Sequence, residues 1–223
     1  PSFRGSIYNL KKLANIVYDE LKKFEIFFVY GLPNKKFYLV KQKILGWRNI
    51  GKLNHYIYPA NLKKLSYLIF LFSMFIKLII KAKLNLNYEY KFSISKIYNT
   101  NFHASRYDNS YKILNNKNYK LIYKEVINKK YYNAKIIYIV DVFPLTKKNI
   151  ESAVNQLLKS NRNIDLLVYI GRLKKVPCNL IKVPEFLLKK QINVSGKILD
   201  TAQIKETVFD ISNWNINLSN FDI

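Results

Sequence analysis

The sequence predicts an α+β chain in three parts: an N-terminal all-α domain over residues 1–107, a basic Asn-, Lys- and Tyr-rich linker or tail over 108–130, and a small α/β extension over 131–223. Three observations lead there. Val29 to Ile69 holds turns at Gly31-Leu32-Pro33 and Gly46-Trp47 and a helix-starting Pro59, the pattern of two helices packed across a pair of turns. Basic residues are unevenly divided, with 25 Lys and Arg against 6 Asp and Glu in residues 1–130 and 13 against 8 beyond. After residue 131, apolar runs at 135–140 and 164–170 flank a helical pattern, the order of a small α/β sandwich.

Taken in order, the first helix has Asn9 as its cap, places Leu10, Leu13, Val17 and Leu21 on one face and ends near Lys23. Glu25 to Tyr30, rich in aromatic and β-branched residues, reads by itself as a strand. After the first turn, Leu39, Val40, Ile44 and Leu45 supply an apolar face while Lys35, Lys36, Lys41 and Lys43 crowd the other. Trp47 plugs the core between two helices or offers a stacking platform for a base. Tyr67 to Ile80 is apolar with Lys77 inside it, shorter than the roughly 20 residues a membrane span needs, and reads as a buried helix. In the extension, Thr146 caps a helix carrying Ile150, Val154, Leu157 and Leu158, residues 192–199 are strand-like, and Asp200 with Gln203 starts a last helix.

The 38 Lys and Arg against 14 Asp and Glu give a formal charge of +24, which attracts a polyanion or an acidic membrane. Catalysis has little to stand on. His55 and His103 lack acidic or cysteine-rich neighbours, and no HExxH, phosphate-loop or nucleophile-elbow pattern occurs. The single Cys178 excludes an internal disulfide and reads as a small buried side chain. The expectation is therefore a non-enzyme with no catalytic residue, no metal and no cofactor. Lysines that contact phosphate, interleaved with aromatic side chains, point to RNA. The candidate RNA-binding residues are Lys35, Lys36, Lys41, Lys43, Arg48, Lys52, His103, Arg106, Lys112, Lys117 and Lys120. No secretory signal is visible. Abundant Lys, Asn, Ile and Tyr suit an AT-rich organellar gene, with Pro1 read as a native N-terminus exposed by removal of Met.

The order Tyr30-Gly31-Leu32, Lys35-Lys36, Leu45-Gly46, then Leu62, Leu65 and Ile69 resembles the helix-two-turns-helix domain of small-subunit ribosomal protein thirteen, over about residues 2–110. Arg4-Gly5 stands near that family's Arg-x-x-Gly segment, Ile94 and Ile97 match a helix end, and Phe102 to Tyr107 matches an RNA-lying segment. Pro33 replaces the family's second glycine and removes one backbone N–H. The resemblance implies helix rather than strand at 25–30. It further implies a structural protein of the mitochondrial small subunit's head, in the matrix and organelle-encoded. Its implied partners are small-subunit rRNA, ribosomal protein nineteen and other head proteins, the large subunit's central protuberance across a bridge, and tRNA, with no membrane. Val183-Pro184 followed by Lys189-Lys190 faintly resembles small-subunit ribosomal protein ten. The alternative is an accessory subunit of an inner-membrane respiratory complex anchored by Tyr67 to Ile80.

Overall fold

The computed structural model describes residues 3–61, 93–98, 100–129, 133–161, 163–174, 176–177, 179–188 and 190–220. It divides into two compact units, Pro1–Leu53 with Lys189–Trp214, and Asn54–Leu188 with Asn215–Ile223.

The first unit starts with α1 (Phe3–Lys23), whose Leu10, Ala14, Tyr18 and Leu21 turn inward at helical spacing, while Leu13 and Val17 are exposed. Its sheet has the order β1 (Phe28–Gly31), β10 (Asn193–Ile198), β2 (Arg48–Lys52), all antiparallel, with Phe28 opposite Ile198 and Asn193 opposite Lys52. Between β1 and β2 lies α2 (Lys35–Lys43), capped by Asn34, whose side chain accepts from the Phe37 N–H at 2.9 Å. Gly51 has φ +153°, and a Cβ there would stand 2.7 Å from Ile211 Cβ, so only glycine suits the position. Trp47 is core: its Nε1–H donates to the Tyr18 hydroxyl at 2.7 Å, and the Lys41 ammonium lies 3.6 Å from its ring centroid.

The second unit is a six-stranded mixed sheet in the order β5 (Tyr111–Asn115), β6 (Lys120–Asn128), β7 (Ala134–Phe143), β8 (Leu166–Gly171), β3 (Asn54–Pro59), β9 (Ile181–Lys182). Neighbours are antiparallel except β7 and β8, which are parallel and joined by α4 (Lys147–Ser160). Thr146 caps α4 by accepting from the Asn149 N–H at 3.1 Å. Ile150, Ala153, Val154 and Leu157 recur at helical spacing and pack with Leu121, Ile137, Ile139, Val142, Leu167, Tyr169 and Tyr56 of the sheet. The short β4 (Ile94–Ser95) and the helix α3 (Thr100–Arg106) precede β5.

Several expectations give way to this architecture. The N-terminal part is not all-α. Residues 28–31 form a strand, as their side chains favour, against the helix implied by the resemblance. Pro59 ends β3 instead of opening a helix, because Asn54 to Pro59 alternates between the two sheet faces and pairs with β8, and proline is tolerated at a strand's end. Ile94 lies in β4 and Ile97 is 83% exposed, so neither ends a helix, and 100–106 form α3 within the segment likened to one that lies on RNA. Residues 108–130, expected as a linker, hold β5 and β6, and sheets join strands from both sides of residue 131. Asp200 opens turns, with its carboxylate accepting from Ala202 N–H, and no helix follows directly. Tyr67 to Ile80, Leu62, Leu65, Ile69 and Cys178 lie outside the described residues. Among the described residues no helix is long and apolar enough to cross a membrane.

Candidate functional site

The parallel pair positions the site. Its ladder runs from Ile136 opposite Leu166 to Ile139 opposite Tyr169 and stops there, although β7 continues to Phe143 and β8 to Gly171. The carboxyl ends of the two strands therefore part, and such a crevice is where open α/β sheets place ligands. A bulge accompanies the parting: Asp141 lies opposite Ile122 and Ile139 opposite Tyr123, which leaves Val140 as an extra residue. That insertion shifts the strand's phase. Val142 takes the α4 face with Ile137 and Ile139, and Asp141 is delivered to the opposite face.

Asp141 is fully buried, and a carboxylate so placed demands partners. Lys96 Nζ stands 2.7 Å from Oδ2, with side-chain exposures of 7% and 1% for the pair. The Tyr98 hydroxyl donates to Oδ2 at 2.7 Å, and Asn217 Nδ2 donates to Oδ1 at 2.8 Å. Lys96 also donates to Asn217 Oδ1 at 3.1 Å and to Ser219 Oγ, and its ammonium lies 4.9 Å from the Tyr98 ring centroid. Tyr98 in turn stacks on Phe143 with centroids 3.8 Å apart. Arg106 Nε donates to the Ser219 carbonyl at 2.8 Å, tying α3 to the same group.

Asn217 and Ser219 belong to a segment seated between the parted ends. Asn217 forms an antiparallel bridge with Gly171, and the Arg172 N–H donates to the Ile216 carbonyl at 2.9 Å. A Cβ on Gly171 would meet Asn217 Cβ and the Ile216 carbonyl at 2.8 Å, so this close approach needs glycine. Burial raises the Tyr98 phenol far above its ordinary value, with the Asp141 charge adding to it, and Tyr107 is raised for the same reasons. Both phenols stay protonated, and Tyr98 acts as a donor to Asp141. Burial lowers the Lys96 ammonium from its ordinary value, against the opposing attraction of Asp141.

The expected RNA-binding residues fall in both units. Lys35 and Lys36 are exposed in the first turn of α2, Lys43 is exposed in its last turn, and Lys52 is exposed on β2. Lys41 rests on Trp47, while Arg48 pairs with Glu206 and lies 3.9 Å over the Phe209 ring. In the second unit His103 lies on α3 and Arg106 binds Ser219. Lys112 pairs with Glu125 at 2.9 Å, Lys117 is exposed in the β5–β6 turn, and Lys120 opens β6. Among those whose side chains are described, Arg106 touches the Asp141 group through Ser219. Lys96, Asp141, Asn217 and Ser219 carry no signal in the sequence beyond a lone Asp within the apolar run 136–142, and Tyr98, expected to pack against neighbouring protein or rRNA, packs on Phe143 of its own chain.

The second unit is thus a mixed sheet with one parallel pair, a crossover helix and a bulge beside the parting. The chain is similar to the crystal structure of a GCN5-related N-acetyltransferase from Anabaena variabilis, with a TM-score of 0.50 and 11% identity over 82% of this chain. It spans about half that protein's length, 49%. No protein-family model and no curated protein sequence matches the chain.

At this identity the likeness is one of fold, and that fold overturns the ribosomal reading. The helix-two-turns-helix domain is absent among the described residues, since β1, β2 and β3 stand within its span. With it go the structural role in the small-subunit head and the respiratory-complex alternative. The partners inferred from it, rRNA, tRNA, ribosomal protein nineteen and the central protuberance, go as well, together with the exclusion of an enzyme.

Proposed function

We propose that the chain is part of an acyltransferase that moves an acyl group from a thioester donor of the acyl-coenzyme A class to an amine. The observation that carries the reading is the parted β7–β8 pair with a buried Lys96–Asp141–Tyr98 group at its carboxyl end. The likeness in fold to an N-acetyltransferase supports it.

The residues present fit a donor bearing a diphosphate in charge. The helix α4 starts just beyond the end of β7, its first turn carries Lys147 and Lys148 and no acid, and a helix N-terminus favours anions. Residues 144–149, the end of the loop and the first turn of α4, include no glycine, so their side chains and the helix dipole, more than a close backbone cradle, would hold the phosphates. When bound, the donor supplies an electrophilic carbonyl and a thiol leaving group. On the protein's side, Asp141 is a fixed acceptor for the N–H groups of an amine, and Tyr98, protonated at any working pH, is a fixed donor beside it. Phe143 and Tyr98 wall the crevice with aromatic surface.

Titrating the protein with acetyl-coenzyme A by calorimetry tests the reading. Saturable binding is expected, weakened at least tenfold in Lys147→Glu with Lys148→Glu; a folded protein showing no binding up to millimolar donor would sink it.

A further inference from the structure

The surroundings of the Lys96 ammonium have the composition of a binding site for an amine. Three oxygen acceptors converge on Nζ, namely Asp141 Oδ2, Asn217 Oδ1 and Ser219 Oγ, and a primary ammonium has three N–H donors to give. The Tyr98 ring supplies a cation–π face at 4.9 Å. The Ser219 hydroxyl spends its own proton on Asn217 Oδ1 at 2.6 Å, leaving its lone pairs to the ammonium. One formal charge, on Asp141, matches one ammonium.

The three oxygen acceptors and their occupant come from different parts of the chain. Asp141 is fixed on a central strand, and Asn217 and Ser219 sit in the segment bridged to Gly171, whereas Lys96 arrives, with Tyr98, on the short stretch that follows β4. That stretch is not a strand of the six-stranded sheet that carries Asp141.

We propose that Asp141, Asn217, Ser219 and the Tyr98 ring form an ammonium cage specific for a primary alkylammonium ligand, and that Lys96 holds the place of such a ligand. The cage does not rest on the acyl-transfer reading. A ligand of this class carries its ammonium on an unbranched alkyl arm, as Lys96 does. A quaternary ammonium lacks the N–H groups, and a guanidinium is planar where the three acceptors call for a pyramidal donor set.

Lys96→Ala removes the equivalent of n-propylammonium, so the test is rescue. The melting temperature of Lys96→Ala is measured with n-propylammonium, 1-propanol or tetramethylammonium chloride, at constant ionic strength. The expected result is a saturable rise with n-propylammonium that recovers most of the loss, and little change with the other two. A folded variant that ignores n-propylammonium, or answers equally to propanol, overturns the cage.

If the variant does not fold, the wild-type chain carries the test. The Lys96 ammonium, buried and hydrogen-bonded, is observed by nitrogen-15 NMR during titration with n-propylammonium. Selective loss or shift of that resonance supports exchange; an unchanged signal at saturating salt overturns it. Neither assay contains a thioester. Acetyl-coenzyme A binding without rescue removes the cage alone, and rescue without such binding keeps the cage and removes acyl transfer.

Discussion

Asp141 illustrates how one residue is made to carry charge inside a sheet. A bulge turns it off the α4 face, and donors separated from it by 43 to 76 residues converge on its two oxygens. Such a group is invisible to periodicity, because the partners share no local pattern with the strand that holds the acid. Arg106, expected on RNA from its charge and its place in the resemblance, spends its guanidinium on the Ser219 and Leu218 carbonyls. His55 has no acidic or cysteine-rich neighbours in the sequence; its Nδ1 is buried without a hydrogen-bond partner among the described residues, and burial lowers its pKa. The folded chain therefore keeps a neutral imidazole where the unfolded chain, with a value of about 6.5, is protonated. The unfolded state binds the extra proton, so stability is lost as pH falls below about 6.5. Melting temperatures between pH 7 and 5 should show this decline, and His55→Gln should flatten it.

At the level of elements, the legible parts are those whose side chains obey one period. The strand expected over 135–140 lies within β7, that over 164–170 overlaps β8 in all but Gly171, and α4 begins at the Thr146 cap with Ile150, Val154 and Leu157 inward. For these, local propensity and burial agree. β3 was missed because Pro59 was read as a beginning, and α1 was turned on its axis because Leu13 and Val17 look as apolar as the Ala14 and Tyr18 that pack. Two substitutions measure what holds α4. Thr146→Ala removes the acceptor for Asn149 N–H and should cost about 1 kcal/mol. Leu157→Ala, at a side chain with no exposure, should cost about 2–5 kcal/mol by loss of contact and residual cavity. Denaturant unfolding followed by circular dichroism reads both, and equal effects would contradict the packing described here.

For the whole molecule, the boundary drawn at residue 131 from charge asymmetry failed because charge marks surfaces, whereas units are defined by which strands pair. Residues 54–59 join the second sheet and 193–198 join the first, and nothing in the local sequence announces either transfer. Composition does reach one global property. Of the 18 tyrosines, Tyr56, Tyr98, Tyr107, Tyr123 and Tyr138 are raised above their ordinary value, chiefly by burial. Above about pH 10 the unfolded chain releases protons that the folded chain retains, so stability falls as pH rises. Burial lowers Lys41 and Lys197, which act in the opposite sense just below about pH 10.5 and delay the onset. Absorbance near 295 nm during alkaline titration should show exposed tyrosines ionising first and the rest only as circular dichroism reports unfolding. A single smooth titration of all of them in folded protein would contradict their burial.

β10, the middle strand of the first sheet, is drawn from residues 193–198, while both of its neighbours lie within the first 53. Synthesis adds about 5–20 residues per second, so β1 and β2 emerge on the order of ten seconds before the strand that joins them. During that interval each offers two open edges to any other extended chain. Mispairing in a newborn molecule is therefore a hazard of its beginning, and a translational pause is most harmful before residue 198 is made.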